Sequence, residues 1–170
     1  MNVFQYTPVY HLDKMLIEGV INLATIGFTI HKTRAVWFST NDEFERTACR
    51  MRARVMPSLE IVHWPHGGWG YGRIGVNESR APYNFKQWRR KAQEAGDSKK
   101  LHGAMVAVAR KYGADPDQWR VGYTPVERHD WKLIEVLEGG KWVTATPSKI
   151  AEQAAAVLEW KLRLARRATA

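Results

Sequence analysis

Apolar and polar positions alternate along this chain in short strand-like runs separated by stretches of helical spacing. Residues 3–7, Val3-Phe4-Gln5-Tyr6-Thr7, read as a strand that Pro8 ends by removing a backbone donor. Leu12, Met15 and Leu16 then recur at helical spacing, with Gly19 placed to take the left-handed conformation after the last turn. Gly27, Thr29 and Thr33 interrupt any period over residues 20–33, which predicts a loop over the sheet. Residues 35–39, Ala35-Val36-Trp37-Phe38-Ser39, form the second strand. Asn41 or Asp42 should then cap a helix containing Phe44, Ala48 and Met51, with Arg46, Arg50, Arg52 and Arg54 toward its negative end.

Leu59, Ile61 and His63 recur at strand spacing over 58–63, Pro65-His66-Gly67-Gly68 makes a turn, and residues 71–76 a further short strand. Residues 84–95 and 98–112 read as two helices split by Gly96-Asp97, the second capped by Ser98 and burying Leu101, Met105, Val108 and Ala109. Strand-like runs follow at 120–123, 131–137 and 142–143, with Gly139-Gly140 as the hairpin signature. A last helix over 147–167 has Thr146 as N-cap and Pro147 at its first position, with Ile150, Ala154, Val157, Leu158 and Leu162 as its apolar face. The pattern predicts an α+β fold of short, twisted, mainly antiparallel strands with several helices.

The length of 170 residues suits one domain, 1–170, and 45% hydrophobic residues with eight Trp supply a core. No run approaches the roughly 20 apolar residues of a membrane span, and the N-terminus lacks the order of a signal peptide, so no membrane partner is expected. The single Cys49 excludes an intramolecular disulfide and agrees with a reducing cytoplasm.

A net charge of +9 points to a polyanionic partner: nucleic acid, nucleotides or an acidic protein surface. The charge concentrates in a basic helical segment, 84–112, and at Lys161, Arg163, Arg166 and Arg167. Within that segment Lys86, Trp88, Arg89, Arg90 and Lys91 are the candidate contacts, Trp88 stacking on a base while the cations meet phosphate. The plainer arrangement turns Trp88 inward and leaves the cations on a solvated face.

Gly70-Tyr71-Gly72-Arg73-Ile74-Gly75 satisfies the Gly-x-Gly-x-x-Gly pattern, but it enters a strand where a dinucleotide site must leave one and open a helix. A glycine-rich turn with close backbone approach is the better reading. His63 and His66 stand three apart with His102 and His129 elsewhere, a spacing that demands no metal, and none is expected. Cys49 beside Arg46, Arg50 and Arg52 has an electropositive setting, yet its helical neighbours Ala48 and Met51 favour a small buried residue.

The two N-terminal strands carry a resemblance. Gln5-Tyr6-Thr7 followed by a helix, and Ala35-Val36-Trp37-Phe38-Ser39 followed by Asn41 through Ala48, resemble the NAD-binding halves of ADP-ribosyltransferases. The likeness is to the poly-ADP-ribose-polymerase-like branch, the DNA-modifying toxins and the small phage transferases used against bacterial defence. The resemblance implies NAD-binding strands within residues 3–40. Gln5, Tyr6 and Thr7 would lie at the nicotinamide ribose and carboxamide, and Trp37 and Ser39 at the nicotinamide ring. Gln5 stands where the family usually has His and Trp37 where it usually has Tyr. Gln still hydrogen-bonds a ribose hydroxyl and Trp still stacks.

The resemblance also implies an acid at or near the start of a later strand, filled by Asp130 with Glu127 and Glu135 as rivals. It implies NAD as co-substrate and an acidic macromolecular target, nucleic acid or protein. The competing reading is a non-catalytic nucleic-acid- or protein-binding module on a degenerate transferase or other α+β fold.

Overall fold

The computed structural model describes residues 1–24, 34–47 and 70–168. Two sheets form among them, every pairing antiparallel. The larger has seven strands: β1 (Asn2–Pro8), β3 (Val36–Ser39), β4 (Tyr71–Asn77), β5 (Tyr83–Asn84), β6 (Trp119–Gly122), β8 (Trp131–Glu138) and β9 (Lys141–Thr144), in the spatial order β5-β6-β3-β1-β4-β8-β9. The smaller joins β2 (Val20–Ile21) to β7 (Val126–Glu127). Four α-helices complete the fold: α1 (Val9–Glu18), α2 (Phe85–Glu94), α3 (Lys99–Lys111) and α4 (Pro147–Ala168). The architecture is α+β, as the pattern predicts, and none of these helices is long and apolar enough to cross a membrane.

Register divides the sheet into two faces, because residues directly opposite each other in an antiparallel pair project the same way. Val3 pairs with Val76, Gln5 with Ile74, Thr7 with Gly72 and Gly72 with Val136, which sets these on one face. There α1 contributes Val9, Leu12 and Leu16, and α4 contributes Ile150, Ala154 and Val157, to the main core with Val36, Phe38, Ile74 and Val136. Phe4 pairs with Ser39, Tyr6 with Arg73, Arg73 with Glu135 and Ser39 with Trp119 on the opposite face. Over the β6–β3 side of that face, α2 and α3 close a second cluster of Phe85, Trp88, Ala92 and Ala109 on Trp37, Trp119 and Val121.

Several sequence expectations change in the fold. The Gly-rich motif is no turn: it runs from Gly70 into β4, and a Cβ at Gly72 would stand 2.3 Å from Leu12 Cδ2. Glycine there lets α1 lie close on the sheet. Helix α4 buries Ile150, Ala154 and Val157, but Leu158 and Leu162 of its expected apolar face are exposed. On α3 the fully buried positions are His102 and Ala109, with Met105 at the edge of the cluster. The hairpin expectation holds: Gly139 and Gly140 take φ of 54° and 80° between Glu138 and its partner Lys141, as a two-residue turn with two left-handed positions requires.

The helix expected from Asn41 does not start: residues 41–47 form bends and a turn. Asn41 Oδ1 accepts from the amides of Glu43 and Phe44, as a cap would. The carbonyls a helix needs are taken instead by side chains from the sheet. Tyr6 donates to Asn41 O, Arg73 to Asp42 O and Trp142 to Glu43 O, while the Thr47 amide turns to Glu45 Oε1. Ala48, Cys49, Met51 and Arg50 through Arg54 lie outside the described residues, as do the strand expected at 58–63, His63, His66 and most of the loop at 20–33.

Candidate functional site

The sheet face away from α1 and α4 holds a continuous polar chain in an aromatic setting. Ser39 Oγ, at the end of β3, donates to Glu45 Oε2 at 3.1 Å and accepts from the Asn41 amide at 3.1 Å. Thr47 donates to Glu45 Oε1 through both its amide, 3.0 Å, and its hydroxyl, 2.6 Å. Glu45 is therefore a buried carboxylate, 5% exposed, held by donors on both oxygens. From Asn41 the chain passes to the Tyr6 hydroxyl, 2.5 Å from the Asn41 carbonyl, and on to Arg73, whose Nη1 donates to Tyr6 Oη at 3.3 Å.

Arg73 ends the chain on Glu135, Nε to Oε2 at 2.6 Å, between cross-strand partners on β4 and β8. Its guanidinium lies over Phe4 at 4.3 Å and over Trp142 at 4.5 Å from the ring centroids. Among the described residues Glu135 Oε1 has no hydrogen-bond partner. The Tyr6 ring meets Phe44 and Trp142 edge-on at 6.0 and 5.5 Å. Burial pushes the Tyr6 phenol up to about 12, against the opposing pull of Arg73, so the hydroxyl stays a neutral donor.

The expected residues separate on this geometry. Tyr6 and Ser39 share the face and the chain, and Glu135 joins them through Arg73. Gln5 and Thr7 project to the opposite face with Val3, under α1 and α4, where Gln5 Oε1 is buried without a hydrogen-bond partner among the described residues. Alternation along β1 causes this: neighbours on one strand cannot serve one pocket through their side chains. Trp37 lies on the site's face but packs among Trp88, Trp119 and Phe85 at 4.6, 6.1 and 6.4 Å.

Of the rival acids, Asp130 pairs with Arg80 at 2.5 Å and lies 3.6 Å from His129, in a 3-10 turn ahead of β8. Glu127 is exposed on β7 opposite Val20. Neither touches the chain that carries Tyr6.

On α2, Trp88 is wholly inside, ring to ring with His102 at 5.1 Å, and offers no face to a base. Lys86, Arg89, Arg90 and Lys91 are exposed. His102 is buried 3.8 Å from Asp97, apart from the exposed His129, and among the described residues no group of three or more His, Cys, Asp or Glu side chains is arranged to hold a metal ion.

Sequence reasoning missed Arg73, Glu45 and Trp142. Arg73 had a readable signal, a lone charge in the run Tyr71-Gly72-Arg73-Ile74-Gly75-Val76, where an unpaired cation in a buried strand demands a partner. No protein-family model matches the chain, and neither does any curated protein or solved structure.

Proposed function

We propose that this chain is a NAD-dependent ADP-ribosyltransferase acting on an acidic macromolecular target, with its site on the sheet face that carries Tyr6, Ser39 and Glu135. The observation that supports this reading is the chain of contacts from Ser39 through Asn41, Tyr6 and Arg73 to Glu135, which joins two NAD-site candidates to one candidate acid. In that reaction the bond between nicotinamide and ribose C1′ breaks and nicotinamide leaves with the electron pair. The acceptor's lone pair forms the new bond at C1′, and its proton passes to a carboxylate. A carboxylate beside the cation-like ribose stabilises it electrostatically. Glu135, held through one oxygen by Arg73 and leaving Oε1 open, suits that role better than Asp130, whose carboxylate is tied to Arg80.

The test is transfer of label from NAD to a cell lysate. The wild-type chain and Asp130→Asn transfer label, and Glu135→Gln loses on the order of 100-fold in rate. No transfer by the wild type and no NAD binding at millimolar concentration would remove the reading.

A non-catalytic binding module on the same fold is the second reading. It is favoured by Trp37, engaged by three aromatic rings, and by Gln5, turned to the other face. In that case NAD leaves tryptophan fluorescence unchanged and the protein's effect survives Glu135→Gln.

A further inference from the structure

The segment 84–112 carries eight basic residues, Lys86, Arg89, Arg90, Lys91, Lys99, Lys100, Arg110 and Lys111, against Glu94 and Asp97. All eight are exposed, whereas Asp97 is buried beside His102, so the outer surface of α2 and α3 presents eight cations to a single exposed carboxylate. Glu94 engages Arg90 at 3.9 Å, and Lys86, Arg89, Lys99 and Lys100 have no ion-pair partner among the described residues. Eight minus two is six, so two thirds of the net charge of +9 stands on one helical layer.

That layer borders an aromatic edge. Strand β5 lies at one edge of the large sheet, and its Tyr83, 38% exposed, is the one exposed Phe, Tyr or Trp ring among the described residues. Tyr83 lies 5.0 Å from Tyr123, and Lys91 Nζ reaches over both rings, 4.1 Å from Tyr123 and 5.7 Å from Tyr83. The Tyr123 hydroxyl is buried without a hydrogen-bond partner among the described residues.

We infer that the α2–α3 layer and the Tyr83 edge bind single-stranded nucleic acid. The cations follow the phosphates, and an unpaired base stacks on the open face of Tyr83 beside the Lys91 ammonium. A duplex keeps its bases stacked inside and would engage the cations alone, whereas a single strand offers both phosphates to the cations and an unpaired π-face to the ring. Trp88 gives the helix its anchor and Tyr83 takes the stacking role that its burial denies it. The inference builds on the target-binding half of the proposed function and needs no transfer, so it is tested without NAD.

The experiment is fluorescence anisotropy of a labelled oligothymidylate with the full chain, with an equal-length duplex and polyglutamate as competitors. Oligothymidylate should bind best, with a log–log salt slope of about −0.7 per phosphate contact. Lys86→Glu with Arg89→Glu should flatten that slope. Tyr83→Ala should weaken binding by roughly 5- to 150-fold, the range for one stacked base, and Tyr83→Phe should keep it. Competition by duplex or polyglutamate as strong as by oligothymidylate would overturn the inference, as would affinity unchanged in a folded Tyr83→Ala. A chain that binds oligothymidylate but transfers no label keeps this inference and loses the transferase reading.

Discussion

Arg73 and Glu135 face each other across β4 and β8, Nε to Oε2 at 2.6 Å, with side chains only 9% and 16% exposed. The guanidinium also donates to Tyr6 and lies against the rings of Phe4 and Trp142, so one cation organises this part of the sheet face. Two charges removed from water are retained here because each satisfies the other.

Breaking that pair should therefore cost more than its net worth. Glu135→Leu leaves a buried guanidinium without its carboxylate and should lower stability by about 3 kcal/mol. Adding Arg73→Met should recover most of that loss. Urea denaturation of Glu135→Leu, Arg73→Met and the double variant measures both, and a double-variant loss equal to the sum of the two single losses would mean that the pair is not coupled.

The Tyr6 phenol supplies a pH signature. Its pKa rises from 10.0 to about 12, chiefly through burial. Both folded and unfolded chains hold this proton below pH 10, and between 10 and 12 the unfolded chain sheds it first. The folded state thus loses stability as pH rises through that window. Tyr6→Phe removes this group's share: the variant should be less stable at neutral pH by about 1 kcal/mol, for the lost bond to Asn41, and its stability should fall less steeply from pH 10 to 12. Parallel alkaline curves for the two proteins would contradict the assignment.

How far this was legible in the sequence differs from element to element. Strand β1, the C-cap at Gly19, the Ser98 cap and the Gly139-Gly140 hairpin follow from local chemistry, and the structure has all four. The segment after Ser39 does not, because its carbonyls go to Tyr6, Arg73 and Trp142, residues 31 to 99 positions away in sequence. Local spacing cannot see such partners. Gln5 and Tyr6 illustrate the same limit: adjacent residues looked like one site, but strand alternation sends them to opposite faces. Glu135 and Tyr6 become neighbours only once β4 lies between β1 and β8.

Gly72 gives a packing test. An added methyl would meet Leu12 Cδ2 at 2.3 Å and the Glu135 carbonyl at 3.2 Å, and Leu12 is itself wholly buried. Gly72→Ala should destabilise by roughly 1–3 kcal/mol, as overpacking does. Leu12→Val in the same chain should relieve part of it. Thermal melting of the wild type and the two variants decides, and a fully stable Gly72→Ala would show that α1 lifts from the sheet at little cost.

Trp142 ties β9 to the segment over the site. Its Nε1 donates to Glu43 O at 2.6 Å while the ring stacks on Phe44 at 6.3 Å, and Tyr6 and Arg73 hold the two preceding carbonyls. Tyr6 is 5% exposed and Arg73 7% under this cover, so a ligand reaching them must first displace residues 41–45. Trp142→Phe keeps a ring and loses one hydrogen bond, worth about 1 kcal/mol. If opening is local, the open population should rise roughly fivefold. The Glu43 and Phe44 amides, now bonded to Asn41 Oδ1, should exchange with deuterium faster by the same factor, with little change in β1 or β4. NAD association, where it occurs, should also quicken. Unchanged exchange at Glu43 and Phe44 would mean that the tie does not govern the cover; faster exchange across the whole sheet would mean that the variant loosens the fold rather than the segment.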